Sequence, residues 1–343
     1  MKPTSEQSSV LVTGGSGFIG SNFIERLLAS ADAAVVVNFD NLSYAANCNT
    51  QDRFSYDPRY HFVYGDITDR PLLLASLRRH RITQVVHFAA ESHVDRSIAD
   101  SSVFIKTNLC GTYELLEAVR TYLAEGGGGS DFRFLHVSTD EVFGALKPHE
   151  PGFTEKSVYR PNSPYSATKA GSDHLVRAWQ VTYGVPTVIS NCSNNYGPFQ
   201  HPEKFIPLLI KHCLLDKSIP IYGDGLQVRD WLYVDDHCSA LQRVLESGRV
   251  GDTYNIGGNA EITNIELANI LCEEMDLACS KPVGSHAKLI TYVTDRLGHD
   301  RRYAINSTKI QSELNWKPQQ SFRDGLTKTI KWYLANHQWL LDK

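Results

Sequence analysis

The sequence carries a tyrosine and a lysine at a spacing suited to proton transfer. Tyr165 and Lys169 are four residues apart and follow Ser163-Pro164, so a helix that starts there places both side chains on one face, about one turn apart. A phenol with a pKa of about 10 is a weak base at neutral pH, and a neighbouring ammonium lowers that pKa by stabilising the phenolate. We therefore expect Tyr165 to take the proton of a hydroxyl group while the adjacent carbon gives up a hydride.

A hydroxyl and two carboxyl groups precede this pair at the end of a predicted strand. Thr139, Asp140 and Glu141 come shortly after the predicted strand Arg133–Val137. A threonine at this place can hydrogen-bond the reacting hydroxyl and complete a catalytic set with the tyrosine and the lysine. Two carboxyl groups are more than a simple oxidation needs. Because neighbouring like charges push their pKa values apart, the pair indicates separate acid and base roles.

A glycine cluster near the start of the chain indicates a phosphate-binding turn. It lies between the predicted strand Val10–Val12 and the predicted helix Phe18–Ala29 and consists of Gly14, Gly15, Gly17 and Gly20. Glycine is needed because the turn adopts unusual φ values and its backbone approaches a pyrophosphate closely, while the helix N-terminus faces the anion. Asp40 follows 20 residues after Gly20. An acid there accepts hydrogen bonds from the adenosine ribose and favours NAD over NADP.

Short β-rich runs alternate with helical patterns through the first half of the chain. The further predicted strands are Val35–Asp40, His61–Tyr64, Gln84–Phe88 and Arg133–Val137, and the further predicted helices are Leu72–His80 and Thr107–Leu123. This alternation predicts parallel βαβ units with right-handed crossovers, and hence an α/β fold with a Rossmann-type, doubly wound parallel sheet. Ligands lie at the carboxyl ends of such strands. We expect Asp66 and Ile67 to contact an adenine there, and Phe88, Ala89 and Ala90 to let the cofactor approach.

The second half of the chain predicts a smaller α+β domain that binds the substrate. Prolines interrupt the pattern after Asn191, and the later predicted helices are Ile265–Met275, Ser307–Glu313 and Asp324–Leu334. We expect residues 1–197 to form the cofactor domain, with 231–256 returning to it. Residues 198–230 and 257–343 then form the substrate domain.

The composition excludes several classes of protein. Of 343 residues, 42% are hydrophobic and 21% are charged, which is ordinary for a globular chain and excludes disorder as the main state. The formal net charge of −4 lacks the basic excess of a nucleic-acid binder, and no apolar run reaches the length of a membrane span. The polar segment Met1 to Ser9 predicts no secretion. Seven scattered cysteines, among them Cys48, predict free thiols in a reducing cytoplasm and no metal site.

Taken together, these residues resemble the extended short-chain dehydrogenase/reductase family of nucleotide-sugar enzymes. The resemblance runs from about Val10 to Trp339. The segments that carry it are Ala89 to Ser97, Ser138 to Val142, Ser163 to His174, Asn191 to Pro198, Arg229 to Val234, Tyr254 to Gly258 and Asp295 to Tyr303. The Thr-Asp-Glu triplet is the most specific of them, because related epimerases and decarboxylases generally lack the Asp-Glu pair. It is typical of the dTDP-glucose 4,6-dehydratases within the family.

The resemblance implies a reaction in three steps with the cofactor regenerated in place. Tyr165, supported by Lys169, removes the proton from the sugar O4 while the C4 hydride goes to NAD, and Thr139 orients that hydroxyl. Glu141 then removes the C5 proton, which the 4-ketone has made acidic, and Asp140 protonates O6 as water leaves. The hydride finally returns to C6, and a proton is returned to C5. The implied substrate is dTDP-glucose, and the implied assembly is a homodimer that pairs the helix Thr107–Leu123 with the helix after Tyr165.

The resemblance also implies contacts to both ligands. For NAD, besides the glycine turn and the two catalytic residues Tyr165 and Lys169, they are Phe18, Ile19, Asp40, Asn41, Leu42, Ser43, Asp66, Ile67, Phe88, Ala89, Ala90, Ser92, Thr107 and Asn195. For the nucleotide sugar they are Ser92, Thr139, Asn194, Lys204, Phe205, Pro220, Ile221, Tyr222, Arg229, Asn264, Asp295, Arg296, Leu297, Gly298 and His299. Fixed guanidinium groups such as those of Arg229 and Arg296 suit a diphosphate, because they bind it through two hydrogen bonds at once.

Two positions depart from the family pattern, and two other functions stay open. Asn41 replaces a common lysine after the second strand, and Leu297 replaces a common proline in the diphosphate loop. The first alternative is another NAD-dependent nucleotide-sugar enzyme, such as a UDP-sugar 4-epimerase, a UDP-sugar 4,6-dehydratase or a UDP-glucuronate decarboxylase. The Asp-Glu pair speaks against an epimerase, which needs no base at C5. The second is a silent NAD-binding module, which has no physical need for Tyr165, Lys169 and both acids.

Overall fold

The computed structural model describes residues 8–30, 35–47 and 49–342, so Cys48 and most of the N-terminal segment Met1 to Ser9 lie outside the described residues. The described strands are Ser9–Thr13 (β1), Val35–Asp40 (β2), Tyr60–Tyr64 (β3), Gln84–His87 (β4), Arg133–Thr139 (β5), Thr187–Cys192 (β6), Asn194–Tyr196 (β7), Ile219–Tyr222 (β8), Val228–Tyr233 (β9), Thr253–Ile256 (β10), Glu261–Thr263 (β11) and Ile290–Val293 (β12). Within those residues, seven parallel strands form one sheet in the order β10-β6-β5-β4-β1-β2-β3. The predicted doubly wound sheet is confirmed.

Helices cover both faces of this sheet. The α-helices are Phe18–Ala29 (α1), Asn49–Phe54 (α2), Arg70–Arg79 (α3), Val94–Ala99 (α4), Ser102–Phe104 (α5), Thr112–Ala124 (α6), Pro164–Tyr183 (α7), Phe205–Leu214 (α8), Val234–Ser247 (α9), Asn264–Ala278 (α10), Thr308–Leu314 (α11), Phe322–Ala335 (α12) and His337–Asp342 (α13). Val10 and Val12 of β1 pack in one core with Phe23 of α1, whereas Leu11 packs on the opposite face with Leu116 of α6. The alternation of side chains along a strand thus builds two cores from one apolar run.

The helix predicted over Thr107–Leu123 is in fact two helical segments. Residues Ile105–Gly111 form a π-helix, and the α-helix α6 begins at Thr112. The wider turn carries Asn108, whose amide exchanges hydrogen bonds with the backbone of Glu91 (2.9 and 3.1 Å) and donates to Thr168 Oγ1 at 2.9 Å. Periodicity alone does not separate a π-turn from an α-turn, and such turns are frequent near functional sites.

A smaller α+β unit lies beyond the carboxyl ends of the large sheet. In the described part of the chain it contains the sheet β11-β9-β7 and the parallel pair β12-β8. Its own core brings together Leu209 of α8, Leu271 of α10 and Ile330 of α12. None of the helices described here is both long and apolar enough to cross a membrane.

Candidate active site

The glycine turn after β1 leaves room for a backbone-bound anion. Gly14 has φ +70°, and a Cβ atom there would come within 2.6 Å of the Ala89 backbone nitrogen. A Cβ atom on Gly20 would collide with the carbonyl oxygen of Gly14. Gly17 caps helix α1 without a side-chain hydrogen bond from any described residue, and the first turn of this helix lines the cavity. This cradle fits a pyrophosphate, since the helix N-terminus supplies free donors and a partial positive charge.

Asp40 ends β2 beside this turn and is tied to it. Its Oδ2 accepts a hydrogen bond from the Ser16 backbone at 2.9 Å and its Oδ1 accepts one from the Leu42 backbone at 2.7 Å. Burial raises the pKa of Asp40, and these two hydrogen bonds oppose the rise. Asn41, the position that departs from the family pattern, donates to Asp66 Oδ2 at 3.2 Å. Asn41 therefore lines the cavity beside Asp40 and contacts a neighbouring carboxylate.

The glycine turn and the predicted catalytic residues Thr139, Glu141, Tyr165 and Lys169 line one and the same cavity. The predicted cofactor residues that line it are Gly14, Gly17, Phe18, Ile19, Gly20, Asp40, Asn41, Ser43, Ile67, Phe88, Ala89, Ala90, Ser92, Thr107, Tyr165, Lys169 and Asn195. Leu42 and Asp66 lie outside this lining. Leu42 has a φ of +52°, and the Asp66 carboxylate accepts from the Thr68 backbone instead. Because the cavity holds a pyrophosphate cradle at one end and the Tyr-Lys pair at the other, its shape fits a dinucleotide.

The end of β5 presents the threonine and the two acids in different environments. The strand runs two residues further than predicted, to Thr139, and a 3₁₀ turn over Asp140–Phe143 follows. Thr139 and Glu141 line the cavity, whereas Asp140 is 1% exposed and lies behind them. The Thr139 hydroxyl donates to Asp140 Oδ1 at 3.4 Å, and Asp140 Oδ2 is buried with no partner among the described residues.

The electrostatics of the two acids differ in a way that suits an acid and a base. Burial raises the pKa of Asp140 well above its usual value, and the charges of Glu141 and Asp230 raise it further. Burial also raises the pKa of Glu141, but Arg296, Arg229 and Lys204 oppose that rise. Asp140 therefore holds its proton near neutral pH more firmly than Glu141, which is the separation that the adjacent pair predicted.

Tyr165 and Lys169 occupy one face of α7, but the effect of the lysine on the phenol is not what the spacing alone predicts. Helix α7 begins at Pro164 after a capping box formed by Ser163 and Ser166. Burial raises the pKa of Tyr165 well above its usual value, the charge of Glu141 raises it further, and a hydrogen bond with Thr139 lowers it. Lys169 Nζ donates to the Val137 carbonyl at 2.9 Å. The expected depression of the phenol pKa is therefore wrong for this structure, because burial and the charge of Glu141 raise that pKa more than the Thr139 hydrogen bond lowers it.

Three predicted substrate residues line the cavity together with Thr139, and two predicted arginines act on the carboxylate of Glu141. Ser92, Asn194 and Lys204 line it, and Lys204 Nζ donates to the Ser92 carbonyl at 2.8 Å. Arg229 is 5% exposed, donates to the Asp300 carbonyl at 3.0 Å, and lies 4.3 Å from the centre of the Tyr303 ring. Its charge, like that of Arg296, acts on the Glu141 carboxylate.

The remaining predicted substrate residues lie in the smaller unit and are not part of the cavity lining. Asp295 Oδ1 lies 2.6 Å from His299 Nδ1, and Asp295 Oδ2 accepts from Gln227 at 3.0 Å. The Gln227 carbonyl in turn accepts from the Asn264 backbone at 3.0 Å. The other residues of this set lie on β8, at the start of α8, and in the loop after β12. They are Pro220, Ile221, Tyr222, Phe205, Leu297 and Gly298.

The structure also brings in residues for which the sequence analysis assigned no role. Glu203 and His201 line the mouth of the cavity, and Glu203 Oε1 accepts from the Tyr44 hydroxyl at 2.9 Å. Arg96 lies 3.3 Å from the same carboxylate and 3.6 Å from the centre of the Tyr44 ring. These contacts join loops far apart in the chain, so no local pattern signals them. Asp173 differs, because it continues the four-residue spacing of Tyr165 and Lys169.

Comparisons with known proteins agree with this geometry. The profile of the family described as GDP-mannose 4,6 dehydratase matches residues 11–329. The chain is 50% identical to dTDP-glucose 4,6-dehydratase 1 of Escherichia coli (strain K12), in an alignment that covers 96% of this chain and 94% of that protein. Among solved structures it is similar to DesIV, a dTDP-glucose 4,6-dehydratase of Streptomyces venezuelae solved with NAD bound, at a TM-score of 0.88 and 46% identity over 96% and 98% of the two chains. A UDP-glucose 4-epimerase of Thermotoga maritima solved with UDP-glucose is more distant, at a TM-score of 0.84 and 27% identity over 96% and 99%.

Proposed function

The chain belongs to the GDP-mannose 4,6-dehydratase family and, within it, to the dTDP-glucose 4,6-dehydratases, and from that premise we propose how its residues carry out the reaction. The enzyme removes water from dTDP-glucose and forms dTDP-4-keto-6-deoxyglucose, with NAD as its cofactor. One observation carries the assignment of roles. Thr139, Glu141, Tyr165 and Lys169 line the same cavity as the glycine turn, with Asp140 directly beneath Thr139.

The first step belongs to Tyr165, Lys169 and Thr139. NAD, when bound, supplies the acceptor for the C4 hydride and the donor of the hydride that C6 later receives. Tyr165 takes the proton of the sugar O4, and the Thr139 hydroxyl orients that oxygen toward the phenol. Because burial raises the pKa of Tyr165, the phenolate that accepts this proton depends on Thr139 and on the nearby ammonium of Lys169 for its stability.

The elimination belongs to the two acids. The ketone formed at C4 makes the C5 proton acidic, and the Glu141 carboxylate at the cavity wall removes it. Asp140, whose raised pKa keeps it protonated, gives its proton to O6 as the C6–O6 bond breaks and water leaves. C5 regains a proton when C6 receives the hydride. The partnerless Asp140 Oδ2 supports this role, because a buried carboxyl oxygen without a hydrogen bond is costly and a substrate hydroxyl satisfies it.

Substrate binding falls to the cations and to the smaller unit. We propose that Lys204, Arg229 and Arg296 hold the diphosphate, and that residues 198–230 and 257–343 form the substrate-binding part of the chain. The core that Leu209, Leu271 and Ile330 share supports this division for α8, α10 and α12, although Tyr196 and Trp231 from outside these bounds also pack in it. NAD binding falls to the glycine turn and to Asp40. Leu42 and Asp66, which lie outside the cavity lining, act by shaping the loops around Asp40.

A labelled substrate tests the function. With dTDP-glucose carrying deuterium at C4, we expect purified enzyme to form a 4-keto product whose C6 carries the label from the same molecule. Mass spectrometry of product from mixed labelled and unlabelled substrate distinguishes transfer within one molecule from exchange between molecules. Deuterium retained at C4 of a galactose epimer would support the epimerase alternative instead. No change in either sugar would favour a silent NAD-binding module.

We also propose that the enzyme is a cytoplasmic homodimer. Exposed apolar side chains lie on the π-helix, on α6 and on α7, among them Ile105, Tyr113, Val181 and Tyr183, where the predicted pairing would bury them. The cysteines within the described residues are free thiols, which suits a reducing compartment. Sedimentation velocity should give twice the 38.4 kDa of one chain, and a monomer at micromolar concentration would reject the dimer.

A further inference from the structure

A third titratable residue follows Tyr165 and Lys169 on the same face of α7. Asp173 lies four residues after the lysine, one helical turn further on, and is 2% exposed. It does not line the cavity described above. An ionised carboxylate buried this deeply is costly unless donors and a cation compensate it, so its surroundings reveal what it does.

Four polar side chains converge on the Asp173 carboxylate. Its Oδ2 accepts hydrogen bonds from the hydroxyl of Ser138 at 2.9 Å, from the hydroxyl of Tyr159 at 2.9 Å and from the amide of Asn191 at 3.2 Å. Its Oδ1 lies 3.1 Å from His136 Nε2. Burial raises the pKa of Asp173, but its contact with His136, the charge of Lys169 and the Ser138 hydrogen bond hold that pKa below its usual value. The carboxylate is therefore ionised at neutral pH.

The Asp173 carboxylate is linked both to Thr139 and to Lys169, two of the residues proposed for the hydride step. Asn191 uses one amide group for two acceptors, since its Nδ2 also donates to the Thr139 carbonyl at 3.0 Å. Burial lowers the pKa of Lys169, and the charge of Asp173 opposes that fall. Asp173 thus connects to Thr139 through a hydrogen-bonded bridge and to Lys169 through charge.

The other titratable groups that face Lys169 are neutral near neutral pH. They belong to α7, β6, β5 and β4 and are Tyr165, Cys192, His136 and His87. Burial raises the pKa of the phenol and of the Cys192 thiol, and it lowers the pKa of His136 to about 4 and that of His87 well below its usual value. Since these four groups are neutral, Asp173 provides the negative charge that faces the Lys169 ammonium.

We propose that Asp173 is a positioning residue for the hydride step, which keeps Lys169 in its ammonium form and fixes Thr139 next to the phenol of Tyr165. This inference rests on the proposed function, but one of its tests measures the pKa of Lys169 without any turnover of dTDP-glucose. It assigns a buried residue of α7 outside the cavity lining a part in catalysis, without contact to the substrate or the cofactor.

Replacing Asp173 by asparagine keeps the size of the side chain and removes its charge. Without the counter-charge, Lys169 loses its proton at lower pH, so we expect the alkaline limb of kcat/KM to move at least about one unit toward lower pH. We expect kcat to fall about tenfold or more and KM to change less, because Asp173 lies outside the cavity. A folded variant whose alkaline limb coincides with that of the unmodified enzyme contradicts the proposal.

A second readout needs no turnover. Cyanate carbamylates an amine only in its neutral form, so the extent of Lys169 labelling against pH, measured by peptide mass spectrometry, reports the pKa of that lysine directly. The Asp173→Asn variant should shift the labelling midpoint downward by the same amount as the kinetic limb. An unchanged midpoint overturns the inference even if the enzyme proves inactive on dTDP-glucose, whereas inactivity with a shifted midpoint overturns the proposed function alone.

Two further variants distinguish the effect of the Asp173 charge from a general loss of stability and from a loss of the bridge to Thr139. Asp276→Asn makes the same change at another buried aspartate, which lies 2.6 Å from His286 in the smaller unit. It should lower the unfolding temperature without moving the alkaline limb. Asn191→Ala keeps the Asp173 charge and breaks the bridge to Thr139, so kcat should fall about tenfold with the Lys169 midpoint unchanged. If Asp173→Asn does not fold, normal kcat in Asn191→Ala would still reject the positioning role.

Discussion

Replacing Glu141 by glutamine is expected to stop the reaction after its first chemical step. The variant keeps a hydrogen-bonding group of the same size at the cavity wall but has no base for the C5 proton. Because general acid–base catalysis contributes about 10²–10⁴-fold, steady-state formation of the 4-keto product should fall by that factor. Reduced cofactor should accumulate on mixing with dTDP-glucose, since the hydride leaves C4 before Glu141 acts. Absorbance of NADH in a stopped-flow experiment, with product measured in parallel, tests both expectations.

The control for this variant is Glu246→Gln, which makes the same change on the exposed side of α9. That variant should turn over normally. Full product formation by Glu141→Gln would show that another group removes the C5 proton. A variant that neither forms product nor accumulates NADH would place Glu141 in the oxidation step instead, where its negative charge already acts on the phenol.

The cofactor half of the fold could be read from local patterns because local physics determines it. The predicted bounds of α1 and β2, Phe18–Ala29 and Val35–Asp40, are those of the structure. A glycine turn, a helix and an acid after the next strand are each specified by a few neighbouring residues, and their spacing fixes where they meet at the sheet edge. Four-residue spacing likewise placed Tyr165 and Lys169 on one helix face.

What the sequence could not provide depends on burial and on partners distant in the chain. The Tyr-Lys spacing predicted a lowered phenol pKa, but the closed surroundings of Tyr165 raise it. Nothing near residue 140 reveals that Asp140 lies beneath Thr139 while its neighbour Glu141 faces the cavity. The π-helical turn around Asn108 serves contacts to Glu91 and Thr168, which lie elsewhere in the chain.

These differences sharpen the assignment of roles. If the proximity of Lys169 alone lowered the phenol pKa, the residues around Lys169 would matter little for the activity of Tyr165. Because burial dominates, the ammonium must be maintained against desolvation, and Thr139 must be held in place. The buried carboxylate of Asp173 and the amide of Asn191 supply these two needs.

Replacing Tyr165 by phenylalanine should block the reaction one step earlier than the Glu141 variant does. Removing the hydroxyl leaves the O4 proton without an acceptor, so we expect kcat/KM to fall by about 10²–10⁴-fold and no NADH to accumulate. The ring keeps its edge-on contact with Phe104, at 6.5 Å between centres, so the unfolding temperature should change little. Tyr56→Phe, at a position that is 80% exposed and outside the cavity lining, is the matched control and should behave normally. NADH forming in Tyr165→Phe at the rate of the unmodified enzyme would remove the phenol from the hydride step and leave the O4 proton to another group.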